Sequence, residues 1–232
     1  MTDTPGKSLL HFNFTSLHKM LFTSLLLMAF SAIPLGAATP ASPTPASPTP
    51  NDWDYEETHT DAREFVTGGM LHVHLSVGDV HVKRGEGTKI RVTYTVKSRH
   101  ERNVKDARVD FEVRGNDAVL DFHAPSGGNT QFDVELEVPA NTNLDVHEKV
   151  GDLTVENVDG DKDMELGVGD IRVATEHAGY RLIQASAGIG DVDSDGYGET
   201  SGWLGKTLKY RGDGKYELRA HVGVGDIHLG GK

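Results

Sequence analysis

One phrase recurs five times in this sequence: an apolar residue, Gly, Asp, an apolar residue. It appears as "SVGDVHV" from Ser76, "KVGDLTV" from Lys149, "GVGDIRV" from Gly167, "GIGDVDS" from Gly188 and "GVGDIHL" from Gly223. Before the phrase, apolar residues stand two apart, as in Leu71, Val73, Leu75, Val77 and in Leu218, Ala220, Val222, Val224. After it they resume at Val80 and Val82, at Ile171 and Val173, at Val192, and at Ile227 and Leu229. The step across Gly-Asp is three instead of two. Since strand side chains alternate between faces, one extra residue would turn a flat strand inside out. A corner, bulge or tight turn must absorb it. Gly permits the positive φ that such a corner needs, and Asp accepts a hydrogen bond from a backbone N–H freed by the bend. The expected structural corners are thus Gly78-Asp79, Gly151-Asp152, Gly169-Asp170, Gly190-Asp191 and Gly225-Asp226.

Two geometries fit. Gly-Asp could be the loop of a β-hairpin in a meander or sandwich, with Gly first in a type II′ turn. Or it could be the corner of a β-solenoid, a β-helix-like stack of short strands. Gly151, Gly169 and Gly190 are 18 and 21 residues apart, a spacing that suits one supersecondary unit per coil. The segment after each Gly-Asp is short and ends in another turn, which favours the solenoid. Elsewhere period-two alternation also dominates: Ile90, Val92, Tyr94, Val96; Val109, Phe111, Val113; Phe132, Val134, Leu136, Val138. The chain reads as all-β.

The stretch "LEVPANTNLDVHEKVGDLTVENVDGDKDMELGVGDIRV", together with "GGMLHVHLSVGDVHV", resembles the bacterial candidate adhesins with β-strand repeats, the DUF4097 family. Val138, Pro139, Leu144, Val146, Gly151, Asp152, Gly169 and Asp170 carry the likeness, which extends over roughly residues 62 to 230. It implies a bacterial β-repeat fold. The matching residues are structural, so it transfers no catalytic residue.

Three segments are expected. Residues 1–38 read as a signal peptide: Lys19 precedes the apolar run from Leu21 to Ile33, and small residues follow at Gly36, Ala37 and Ala38. The run is shorter than a bilayer span, so no membrane span is expected after cleavage, an uncleaved anchor being the alternative. Residues 39–51, with "TPASPTPASPTP", read as a stiff polyproline-like linker. Residues 52–232 form the β-repeat domain. The protein is therefore expected to be exported, to the periplasm, cell surface or medium. It has no cysteine, so packing and backbone pairing must hold it. Its net charge of −12 disfavours nucleic acid or anionic membrane as a partner, and no nucleic-acid partner is expected.

Chemistry-bearing motifs are sparse. "DVDSDG" opens like a calcium loop, with Asp191, Asp193 and Asp195, and Glu199 as a further oxygen donor. Gly202 stands where a helix-loop-helix site needs its bidentate Glu. "DGDKD" (Asp159, Asp161, Asp163) is a partial copy; acidic turns between strands explain both equally simply. His72 and His74 share one strand face, with His81 beyond the corner, and that face is most simply solvated. No G-x-S-x-G, H-E-x-x-H or dinucleotide fingerprint is present. No catalytic or cofactor-binding residues are assigned, and no cofactor is expected unless calcium. "RGD" at Arg211 reads as a turn, and Trp203, Tyr210 and Tyr216 as a cap over the last rung or as a sugar platform. The expected function is a non-catalytic, structural or adhesion-type module of the envelope or surface, its partner a protein or a glycan. A calcium-dependent or carbohydrate-binding module and a polysaccharide-acting enzyme are the alternatives.

Overall fold

The computed structural model describes residues 53–126, 129–174 and 176–230. The leader and linker expected at 1–38 and 39–51 lie outside them. Among the described residues strand dominates. The order is β1 (Tyr55–Glu64), β2 (Met70–Arg84), β3 (Lys89–Ser98), a short helix α1 (Glu101–Asp106), β4 (Arg108–Arg114), β5 (Asp117–His123) and β6 (Thr130–Val138). Paired segments follow: β7 (Asn143–Val150) with β8 (Leu153–Glu156), β9 (Lys162–Val168) with β10 (Ile171–Ala174), and β11 (Tyr180–Ile189) with β12 (Val192–Asp193). A hairpin, β13 (Glu199–Ser201) and β14 (Thr207–Arg211), precedes β15 (Tyr216–Val224) and β16 (Ile227–Leu229).

The all-β expectation holds, and the pairing shows what Gly-Asp does. β7 pairs in parallel with β2 and β9, while β8 pairs in parallel with β2 and β10. The strands on either side of a Gly-Asp therefore belong to different layers and do not pair with each other, so the dipeptide is no hairpin loop. One layer runs β4-β5-β2-β7-β9-β15-β11-β14-β13; the other runs β1-β3-β6-β2-β8-β10-β16-β12. β2 belongs to both, its first half in one layer and its second in the other, so the sheet is continuous around the core. Antiparallel pairing is confined to the flanks, at β1-β3-β6, β4-β5 and β11-β14-β13.

The two strands joined by a Gly-Asp form one coil, and the order of these strand pairs in space departs from their order in sequence. β15–β16 lies between β9–β10 and β11–β12, so the segments read as three consecutive coils are not all neighbours. The hairpin β13–β14 instead covers the free side of β11. The opposite layer ends on the two-residue β12, an edge too short to template further pairing.

Between the layers, side chains stack in rows. Val80, Leu153, Ile171, Ile227 and Val192 form one row; Val82, Val155, Val173 and Leu229 form the next. From the facing layer come Val73, Val146, Met164, Ala220 and Ala185. Each Val, Leu, Ile or Met in these rows contributes about 1.5–3 kcal/mol on burial. At the end of the stack, Tyr197 and Tyr210 pack with His177, the ring centroids of His177 and Tyr197 being 4.6 Å apart. Trp203, expected to join this cap, is instead 93% exposed.

The corner glycines have φ from 135° to 156°, and a Cβ at Gly169 would collide with the carbonyl oxygen of Gly151. Gly87, also at positive φ (85°), has open space around it. Gly169→Ala should therefore cost more than about 3 kcal/mol in urea unfolding or prevent folding, whereas Gly87→Ala should cost only about 1–2 kcal/mol. Equal costs would mean that close stacking at the corner is unimportant.

Candidate functional site

The corner edge is the most repetitive surface of the molecule. Gly151 sits over the carbonyl of Gly78, Gly169 over Gly151, Gly225 over Gly169 and Gly190 over Gly225. The aspartates form a column beside them. The Oδ1 of Asp79 accepts the backbone N–H of Asp152 (3.1 Å), that of Asp152 the N–H of Asp170 (3.0 Å), that of Asp170 the N–H of Asp226 (2.9 Å), and that of Asp226 the N–H of Asp191 (2.7 Å). At the free end Asp191 accepts from Val192. A bend that leaves an amide without a ladder partner is thus satisfied by the carboxylate of the coil beneath. Burial raises the Asp79 carboxyl above its ordinary value, and the charges of Asp133 and Asp152 add to this against the hydrogen bond from Asp152.

A shorter ladder of the same kind, which sequence reading missed, runs along another edge. Asn143 Oδ1 accepts the N–H of Asp161 (2.8 Å), and Asp161 Oδ1 accepts the N–H of Glu217 (2.7 Å). The signal was Asn143 and Asp161 at the starts of successive coils, 18 residues apart like the Gly-Asp phrases that follow them.

Two ionisable side chains interrupt the core. Glu148 replaces an aliphatic in the row Leu75, Leu166, Val222, Ala187; it is 4% exposed and neither carboxyl oxygen has a hydrogen-bond partner. Burial, then the charges of Asp79 and Asp152, pushes its pKa up to about 8. Lys162 replaces an aliphatic in the row Leu71, Leu144, Leu218, Ile183, and burial pushes it down to about 8. Its ammonium donates to the Tyr180 hydroxyl (2.6 Å) and to the Gly160 carbonyl (3.1 Å).

The acidic-turn residues are used locally. Asp193 accepts from the N–H of Ser194 (2.8 Å), Asp191 lies 3.3 Å from the Lys206 ammonium, and Asp159 pairs with Arg84 (2.7 Å). Asp193 and Asp195 border one depression with Arg172 and His228; Asp191 and Glu199 are not part of it. Among the described residues, no three His, Cys, Asp or Glu side chains come together as a set that could hold a metal ion.

Outward from the layer containing β7, histidines and carboxylates form a row across adjacent strands. Asp121 meets His74 (2.5 Å), His74 stacks on His147 (centroids 5.7 Å), and His147 meets Glu165 (3.2 Å). His72 and His147 share Asp145, at 2.7 and 3.0 Å. Further along, Ser186 and His221 are hydrogen-bonded at 2.9 Å. This row borders an open depression of about 530 Å³ that also includes His123, Leu75 and Phe122. Such a surface offers exposed donors and acceptors to a partner.

The sequence matches no protein-family profile and none of the curated proteins. Among solved structures it is similar to a candidate cell adhesion protein from Clostridium sporogenes, at 17% identity and a TM-score of 0.46, over 76% of this chain and 100% of that one. It is also similar to a candidate adhesin from Bacteroides fragilis, at 9% identity and a TM-score of 0.24, over 75% and 97%.

Two outcomes follow from the corner. Asp170→Ala, which strands the Asp226 N–H, should cost about 1–2 kcal/mol in urea unfolding, and Asp170→Asn, which keeps the acceptor, should recover most of it. The Glu148 carboxyl stays protonated in the fold while the unfolded chain ionises it near 4.5. Stability from this group is therefore greatest below pH 4.5 and falls by about 1.4 kcal/mol per pH unit until about 8. Glu148→Gln should gain on the parent protein as pH rises from 5 to 8; urea midpoints that keep a constant difference would contradict this.

Proposed function

We propose that this chain is a non-catalytic, exported β-repeat module of structural or adhesion type, with its coils read as a β-solenoid that holds flat, repetitive surfaces toward a partner on the envelope or outside the cell. The observation that carries the reading is the fate of the recurrent Asp. Across four consecutive steps its carboxylate is spent on a backbone amide of the neighbouring coil. Selection for reactivity would free that group and gather it with others; here the repeat is consumed by architecture. Repetition then places equivalent side chains at regular intervals on a broad face, which suits contact with an extended partner. Among the described residues no helix is long and apolar enough to cross a membrane. The leader and the stiff linker, read from the sequence, would export the domain and hold it away from its N-terminus.

The test uses the full chain expressed in a bacterial host and then purified. It should be recovered outside the cytoplasm with residues 1–38 removed, by intact mass, and the labelled protein should bind isolated bacterial envelope saturably. Retention in the cytoplasm with an intact N-terminus, or binding that never saturates, would overturn the proposal.

A further inference from the structure

Each corner glycine is preceded by a β-branched aliphatic: Val77, Val150, Val168, Ile189 and Val224. By alternation these residues have the parity of the core face, yet all five are exposed, from 41% at Val77 to 54% at Ile189. The last buried layer is the one before them, with Leu75, Glu148, Leu166, Val222 and Ala187. The pairing places Val77 beside Val150, Val150 beside Val168, Val168 beside Val224 and Val224 beside Ile189. They therefore form one unbroken row, about 19 Å long at about 4.8 Å per strand. At the Ile189 end the β13–β14 hairpin extends it. The Ala187 N–H meets the Lys206 carbonyl at 2.9 Å, and Gly205 packs on the Gly188 carbonyl. That contact brings the hairpin tip, with Trp203 (93% exposed) and Leu204 (62%), alongside the row.

Single exposed aliphatics are ordinary; an aligned row ending in an exposed Trp is a contact surface. Strand propensity alone does not require it, because Thr has the same branching and occurs at none of the five positions. Two residues further along each coil stands the aspartate column. Arg172 pairs with both Asp170 (2.8 Å) and Asp152 (3.7 Å), Asp191 with Lys206 (3.3 Å), and Asp79 is near Gln131 (3.3 Å) and feels the charges of Lys97 and Asp133; Lys149 is exposed beside Val150. The five column carboxylates and Asp133 face four cations, Arg172, Lys206, Lys149 and Lys97, so the flank of the row carries a net negative charge.

We infer that this row is the docking surface for a cationic amphipathic helix, its apolar face on the valines and its Lys or Arg side chains over the aspartates. Spacing selects a helix. Turns repeat every 5.4 Å, close to the strand spacing, so residues at i, i+3 and i+7 can each meet one rung. An extended strand lying along the row places same-face side chains about 6.6 Å apart and falls out of step. About 13 residues span the row at 1.5 Å each. Charge disfavours the other occupants: a second copy sets a net −12 against −12, and the aspartates repel anionic lipid. This inference rests on the binding-module reading above and adds to it the face and the partner class.

The test measures binding of a synthetic 14-residue Leu/Lys amphipathic peptide to the purified chain by calorimetry. The comparisons are a Leu/Glu analogue and a Leu/Lys permutation without an apolar face. The variant Val150→Thr/Val168→Thr/Val224→Thr keeps the branching and the strand preference, and its melting is checked against the parent. Binding of the amphipathic Leu/Lys peptide alone, weakened at least tenfold by the triple variant and reduced by salt, supports the inference. If the triple variant does not fold, Asp170→Asn with Asp226→Asn serves, and at least threefold weakening is expected. Unchanged binding by the folded variant, equal binding of the permuted peptide, dimerisation abolished by the Thr substitutions, or binding to neutral lipid vesicles through Trp203 would each overturn it. Failure of the peptide to bind the parent chain, with envelope binding the same in parent and triple variant, would discard this inference and leave the module reading intact.

Discussion

The structure depends on what happens to one backbone amide at four of its five corners. When a strand leaves one layer for the other, its ladder is interrupted and the Asp N–H faces outward without a carbonyl. The carboxylate of the coil beneath accepts it, and the absence of a Cβ on the adjacent Gly lets the two coils approach closely enough for that bond. The two residues of the dipeptide are thus coupled: Gly sets the distance, Asp uses it. Four such bonds in series fix the stagger of five coils at one edge. Register in the core follows, because every aliphatic row begins a fixed number of residues from a corner.

The corner was legible in the sequence because the alternation slips there by one residue, and alternation reports faces directly. Coil order was not legible. Every coil presents the same pattern of aliphatic rows and the same dipeptide, so nothing in the pattern distinguishes a neighbour at β11 from one at β15 for the edge of β9. The final coil enters between two earlier ones, and the hairpin after β12 pairs with the side of β11 that this leaves free. Parity did carry one unused signal: Glu148 follows Leu144 and Val146 in step, and Lys162 precedes Met164 and Leu166 in step. Both are buried as the alternation requires. Parity misled at Val77, Val150, Val168, Ile189 and Val224, where the strand outruns the core before it turns. The acidic turns resemble a calcium loop because sharp turns and oxygen ligands favour the same residues, Asp and Gly; Asp193 also accepts the Ser194 N–H of its own turn.

The two buried ionisable groups differ in how the fold accommodates them. Lys162 keeps two hydrogen-bond partners and lies 5.2 Å from the Tyr180 ring centroid. Glu148 keeps none, and it lies close to the aspartate column, whose negative charge further opposes its ionisation. A core of stacked aliphatics tolerates one neutral acid more readily than one anion. The corner column and this residue are therefore linked electrostatically, and the stability of the coil stack depends on pH at the same edge where the exposed row lies.

Amide hydrogen exchange tests the corner account most directly. The backbone N–H groups of Asp152, Asp170, Asp226 and Asp191 lie at solvent-facing bends, where unbonded amides exchange within seconds. If each is held by the carboxylate of the adjacent coil, they should exchange as slowly as the central-strand amides of β7 and β9. Exchange at the rate of open loops, with those strands protected, would show that the aspartates do not hold the coils and that the recurrent dipeptide has another purpose.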